Sequence, residues 1–248
     1  MKQQNLNKKV INILSTKMLD DAIIRQASTE NITIECIPFI HTKPVETLEL
    51  QQQINQLIHQ TDYVIFTSAN AVNAVAKQVN TKETLNAFCI SGKTRKAVEQ
   101  HFSGSRIIAD AATGAELAEK IIEFVQSCHS SNANFTFFCG NKRLNTIPET
   151  FKKNNLPLTE LVVYDTILTP QTISKQYDGV LFFSPSAVDS FIQMNQPDKN
   201  LNAFSFAGAT YTALQPIAAE IVVSHTPSEQ AMLNTVMDYY KEHFNSNR

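Results

Sequence analysis

Between Asp62 and Leu117 the chain repeats itself. Shifted by 116 residues (178 − 62), this stretch falls on Asp178 to Leu233 without a gap, and 15 of the 56 pairs are identical, against about three or four expected from average residue usage. Asp62-Tyr63-Val64-Ile65-Phe66-Thr67-Ser68-Ala69-Asn70-Ala71-Val72 lies on Asp178-Gly179-Val180-Leu181-Phe182-Phe183-Ser184-Pro185-Ser186-Ala187-Val188, and Leu85-Asn86-Ala87-Phe88 on the identical Leu201-Asn202-Ala203-Phe204. The period is too long for a solenoid and right for one small domain, so the sequence predicts a duplicated module. Two similar domains facing each other make a cleft, where ligands are commonly held.

Short apolar runs rich in β-branched and aromatic residues alternate with stretches of helical period, the signature of βα units around parallel sheets. Strands are expected at Val10 to Leu14, Ile32 to Ile37, Tyr63 to Thr67, Ala87 to Ile90, Ile107 to Ala109, Phe135 to Cys139, Glu160 to Leu168, Gly179 to Phe183, Ala203 to Ala207 and Glu220 to Val223. The clearest helix runs from Gly114 to Gln126, with Leu117, Ile121, Ile122 and Phe124 on one face. Pro38 to Thr47 and Val163 to Ile173 break the βα rhythm and carry prolines, as paired connectors between domains would. A weaker, gapped match of Val10 to Pro38 with Asn134 to Val163 completes each repeat.

The 248 residues are 43% apolar and 18% charged with a net charge of -2, so no basic footprint points to nucleic acid or an anionic membrane. An anionic ligand must then be held by local groups. Cys36, Cys89, Cys128 and Cys139 lack C-x-x-C spacing and read as reduced thiols, three of them in strand-like runs. The six histidines (41, 59, 101, 129, 225, 243) show no metal-ligand spacing and read as surface or loop residues, so neither a metal nor a triad hydrolase is expected. The start of the chain has no signal-peptide core and no apolar run approaches spanning length, which predicts a cytoplasmic protein.

Three loop families follow the expected strands: Ser68-Ala69-Asn70-Ala71 with Ser184-Pro185-Ser186-Ala187, Gly92-Lys93-Thr94 with Gly208-Ala209-Thr210, and Asp110 to Gly114 with Thr226-Pro227-Ser228-Glu229. The carboxyl ends of parallel strands line the ligand crevice of such sheets. Ser68, Ser184 and Ser228 read as helix N-caps, a role compatible with presenting free N–H groups to a carboxylate. The glycines allow tight turns and close approach of a ligand to the backbone. Ser91-Gly92-Lys93-Thr94 matches the tail of a nucleotide-binding loop, but Ala87 stands where that motif needs glycine and the duplicate has Ala209 for Lys93. Gly140-Asn141-Lys142-Arg143 is a basic turn at a strand end that either meets an anion or points to solvent. Tyr164 either faces a ligand as a donor or packs the junction between domains.

Taken together, these segments resemble the uroporphyrinogen-III synthase family over almost the whole chain. Phe66 to Val72 and Phe182 to Val188 look like its paired F-T-S-x-x-A-V segments, and Gly140 to Pro148 like its G-x-x-x-R-x-x-L-P turn, one residue short before Arg143 and with Ile147 for leucine. Val162 to Thr166 looks like its V-x-V-Y-x-T connector, and Gly208 to Ala213 like its late G-x-T-T-A loop. Phe183 departs from the family's threonine, and Tyr211 separates Thr210 from Thr212, leaving open which of them makes the contact.

The resemblance implies two flavodoxin-like parallel-sheet domains joined by a two-stranded linker ladder. Residues 1–37 with 170–248 would form one domain and 45–162 the other, with 38–44 and 163–169 as linkers. It implies a linear tetrapyrrole substrate, hydroxymethylbilane, closed with inversion of ring D and loss of water; no cofactor is expected, and a monomer is the default. Tyr164 is then the candidate for assisting departure of the hydroxyl. Ser68, Ala69, Gly92, Thr94, Gly140, Arg143, Ser184, Ser186, Gly208, Thr210 and Thr212 are the candidates for binding substrate. A non-catalytic two-domain protein that binds an anionic ligand is the alternative.

Overall fold

The structure is a computed structural model that describes residues 10–79, 83–128, 132–196 and 198–246. In chain order the elements begin β1 (Ile11–Ser15), α1 (Asp21–Thr29), β2 (Ile32–Cys36), β3 (Ile40–Pro44), α2 (Leu48–Gln60), β4 (Tyr63–Phe66) and α3 (Ala69–Ala76). Next come β5 (Asn86–Ile90), α4 (Lys93–His101), β6 (Arg106–Ala111), α5 (Gly114–Ser127), β7 (Phe135–Gly140), α6 (Thr146–Lys153) and β8 (Thr159–Leu168). The chain closes with β9 (Gly179–Phe182), α7 (Pro185–Phe191), β10 (Asp198–Phe206), α8 (Ala209–Leu214), β11 (Ala218–Ser224) and α9 (Glu229–Ser246). Each expected strand is present, and β3 adds one inside the first connector.

Two compact units result, Met1–His41 with Ile167–Arg248, and Thr42–Thr166. The first holds a parallel sheet in the order β2-β1-β9-β10-β11, which in its own chain order is 2-1-3-4-5, the flavodoxin-like winding. The second holds β8-β7-β4-β5-β6, also parallel, with β3 next to β8 at the edge. The second order is the first one circularly permuted, because the chain enters this unit at its central strand and builds the other half last.

The central strands of both sheets are buried on both faces and read as apolar runs. In the second unit Val64, Phe66, Ala87, Cys89 and Phe138 face a core with α3 and α4, while Ile65, Phe88, Phe137 and Cys139 face α5 and α6. In the first unit Ile13, Leu181 and Phe204 face α1 and α9, while Leu14, Phe182 and Ala203 face α7 and α8. Alternation at period two puts neighbouring residues on opposite layers.

Several repeat identities make the same bond twice. The carboxylate of Asp62 accepts from the backbone N–H of Asn134 and that of Asp178 from the N–H of Asn12, each at 2.8 Å. The side-chain amides of Asn86 and Asn202 donate to the carbonyls of Asp62 and Asp178 at 3.2 and 3.1 Å. The gapless offset does not survive throughout. Cys89 pairs with Asp110 (21 residues on) but Ser205 with Val223 (18 on), so the counterpart of Asp110 is Val223 rather than Thr226. The slip is two residues at Ala87–Ile107 against Ala203–Ile221, where α4 has 9 residues and α8 has 6, and it grows to three because a bulge in β6 skips Ile108. A longer loop before α9 nearly restores the register, and Ser228 caps that helix through the N–H of Ala231 at 3.1 Å.

Candidate functional site

Tyr164 sits where strand β8 leaves regular pairing. Cys139 stands opposite Val162 but Gly140 opposite Tyr164, so a bulge skips Val163. Bulges are rare between parallel strands and re-aim the side chains beside them. Here Val163 is fully buried and Tyr164 half-buried against the same core. The bare Gly140 makes room for the ring, since a methyl group on it would fall 2.5 Å from Tyr164 Cζ and 2.8 Å from its hydroxyl oxygen. Beyond this pair the turn is tied down, with Asn141 N–H donating to the Tyr164 carbonyl at 3.2 Å and Thr166 N–H to Asn141 Oδ1 at 2.8 Å.

Burial pushes the Tyr164 phenol above its ordinary value of 10.0, and a hydrogen bond with Ser68 acts in the opposite direction. The phenol is therefore protonated at neutral pH and is a donor. Ser68 has two roles, because its hydroxyl also accepts from the N–H of Asn70 at 3.2 Å as the N-cap of α3. Tyr164 lines a cavity of about 410 Å³ within the second unit, together with Thr42, Lys43 and Pro44 of β3, Asn70, Asn73 and Lys77 along α3, and His101 at the end of α4.

The remaining loops lie at the carboxyl ends of their strands. Ser184 caps α7 through the N–H of Ala187 at 3.2 Å, with Ser186 half-buried in its first turn, as Ala69 is in α3. Gly92 (φ 75, ψ -122) and Gly208 (φ 84, ψ -134) share one backbone conformation, open only to glycine, and each turns a strand into a helix. Two residues on, Thr94 and Thr210 are 5% and 6% exposed. Thr212 is exposed and its hydroxyl bonds back to the Gly208 carbonyl at 3.2 Å. Arg143 is drawn away into an ion pair with Glu160 and a 2.9 Å hydrogen bond to Asn145. Phe183 packs edge-on against Phe206 at 5.7 Å, with the Lys17 ammonium 4.7 Å from its ring and 2.7 Å from Glu229.

A family model described as uroporphyrinogen-III synthase HemD matches residues 21–234. That is 214 of the 248 residues. The chain belongs to the uroporphyrinogen-III synthase family. Its fold is similar to a mutant uroporphyrinogen III synthase from the extremely thermophilic bacterium Thermus thermophilus, at 13% identity and a TM-score of 0.66 over 94% of this chain and 99% of that one. It is likewise similar to the uroporphyrinogen-III synthetase from Helicobacter pylori, at 15% identity and a TM-score of 0.63 over 92% and 99%.

Among the family segments, the structure brings Ser68, Gly140 and Tyr164 together, while Arg143 is paired with Glu160 and does not line the cavity. The cavity's basic side chains escape a reading of the sequence, in which Lys43 belongs to the first connector and His101 to the surface or loop histidines. One signal is present, because Asn70, Asn73 and Lys77 recur at helical spacing and form a polar stripe on an otherwise apolar helix. His101 Nε2 lies 3.0 Å from Asn73 Oδ1. His41, His59, His225 and His243 are exposed, and His129 lies outside the described residues. Among the described residues no group of three or more His, Cys, Asp or Glu could hold a metal ion, no helix is long and apolar enough to cross a membrane, and no disulfide joins the cysteines.

Proposed function

We propose that the chain is a lyase that closes hydroxymethylbilane to uroporphyrinogen III with loss of water and inversion of ring D. The observation that carries this reading is the protonated, half-buried Tyr164 phenol, seated over Gly140 in the family's own connector segment. The nitrogen lone pair of an electron-rich pyrrole expels the terminal hydroxyl, and the Tyr164 O–H polarises the breaking C–O bond by donating to that oxygen. Its raised pKa makes full transfer of the proton costly, so the phenol acts as a hydrogen-bond donor. The water that leaves takes the hydroxyl from carbon and, in balance, one proton from the pyrrole nitrogen. The resulting azafulvene is attacked by the substituted carbon of ring D to give a spiro intermediate.

Left alone the bilane closes without inversion, so the protein must select a conformation more than lower one barrier. Backbone N–H groups at the Ser68, Gly92, Ser184 and Gly208 turns are the proposed partners of substrate carboxylates. Thr210, and not Thr212, is the proposed contact in the late loop, since it matches Thr94 in position and burial while the Thr212 hydroxyl is engaged by its own helix. The test is incubation of the purified protein with freshly generated hydroxymethylbilane and separation of the product isomers. The expected product is mainly type III, and Tyr164→Phe lowers kcat without unfolding the protein. Type I product alone, or activity that is lost to a chelator and returns with metal, overturns the reading.

A further inference from the structure

The cavity beside Tyr164 has walls that the proposed reaction does not use. No aspartate or glutamate lines it, whereas Lys43, Lys77 and His101 do. Lys43 is exposed on β3 and has no ion-pair partner among the described residues. Among the described residues Lys77 has only Glu46 as an ion-pair partner, at 3.9 Å and with both side chains more than half exposed, a contact of little energy that a ligand can displace. Asn73 Oδ1 meets the His101 ring at 3.0 Å, which leaves its amide N–H groups to donate elsewhere. The space of about 410 Å³ is at the small end of ligand pockets, roughly 300–1,000 Å³. That is room for one ring with its side chains and too little for four.

We propose that this cavity is a subsite for a single pyrrole ring bearing two carboxylates, with Lys43 and Lys77 as the anion partners, and that the ring it takes is the terminal one whose hydroxyl Tyr164 helps to leave. The inference rests on the proposed function and deepens it. The phenol is part of the cavity wall, so a ring seated there has its substituent at the donor, and the ammonium groups set which way round it sits. Point charges on flexible stems suit carboxylate arms of different length better than a rigid guanidinium fork would.

The experiment compares Lys43→Gln, Lys77→Gln and the double variant with Lys152→Gln, an exposed lysine on α6 away from the cavity. Each is checked for folding by circular dichroism and thermal melting. Each cavity variant should raise KM for hydroxymethylbilane about ten-fold, as loss of one charge-assisted contact does. Lys43→Arg should recover part of the loss and Lys152→Gln should leave KM alone. A monopyrrole carrying an acetate and a propionate should compete with the bilane on the wild type and lose most of its effect on the double variant. Unchanged KM in the double variant, or an equal rise with Lys152→Gln, overturns the proposal. Lys43- and Lys77-dependent binding of the monopyrrole by a protein that makes no type III isomer would retain the subsite and refute the proposed function instead.

Discussion

Replacing Gly140 by alanine isolates the contact on which the Tyr164 geometry depends. The added methyl would lie 2.5 Å from Tyr164 Cζ and 2.7 Å from Cε2, against 3.4 Å for an ordinary contact, an overlap of 0.9 Å (3.4 − 2.5). Neither partner can step aside cheaply. Gly140 and Tyr164 face each other across paired strands, Val163 beside the ring is fully buried, and the ring packs on the core. The φ of Gly140 is not positive, so backbone strain adds nothing and the cost is one of packing. Overpacking of this kind costs about 1–3 kcal/mol, and a ring pushed off its rotamer about 0.5–1.5 kcal/mol. Denaturant titration should therefore show Gly140→Ala destabilised by about 1–3 kcal/mol. Activity should fall further, because displacing a positioned donor by about 1 Å costs on the order of 100-fold. In a Tyr164→Ala background the collision partner is gone, and the stability cost of Gly140→Ala should largely vanish, a strong coupling between the two sites. If Gly140→Ala costs as much with the ring absent as with it present, the glycine serves the bulge backbone and the seating argument is wrong.

The turn glycines differ from Gly140, since a methyl on Gly92 meets nothing within 4 Å but the residue sits at φ 75. Gly92→Val should thus lower kcat/KM more than Thr94→Ala, whose loss should be about 1 kcal/mol, one neutral hydrogen bond; a dead Thr94→Ala beside an active, folded Gly92→Val would make the hydroxyl the essential group. Asp110 accepts hydrogen bonds from Ser91 at 2.6 Å and Arg95 at 2.8 Å, and its carboxyl is held below the ordinary 3.8, chiefly by the Ser91 bond. A lowered folded pKa stabilises fully above 3.8 and loses that contribution as pH falls through the folded value, so Ser91→Ala should cost about 1 kcal/mol at pH 7 and progressively less below pH 3.8. Urea titrations that give the same difference at about pH 7 and about pH 2.5 would refute this. Burial pushes the thiols of Cys89 and Cys139 up to about 12 and about 11, so at about pH 8 a thiol reagent should modify the exposed Cys128 in the native protein and reach these two only on unfolding. Rapid native labelling of Cys89 by mass spectrometry would show the sheet opening locally.

What was legible in the amino-acid sequence was whatever acts over short chain distances. Strands and helices followed from hydrophobic period, and the serine caps and the Gly92 and Gly208 turns from residue types that satisfy helix ends and positive φ. The strongest repeat identities turned out to be structural, Asp62 with Asn86 and Asp178 with Asn202 tying strand ends to their neighbours. The gapless offset breaks between β5–β6 and β10–β11, where α8 is shorter than α4 and a bulge skips Ile108, because pairing of a strand depends on its partner and not on the residue count between them.

Only the tertiary structure brought the candidate site together. Gly140 and Tyr164 are 24 residues apart (164 − 140) and meet because β7 and β8 pair with one residue skipped. Arg143, basic by sequence, is neutralised by Glu160, which the same pairing brings alongside it. Lys43, Lys77 and His101 come from a strand and two helices, and no local pattern links them. A sequence records which side chains can cap, turn or alternate. Which charges share a cavity is fixed by register and layer packing, which involve contacts between residues far apart in the chain.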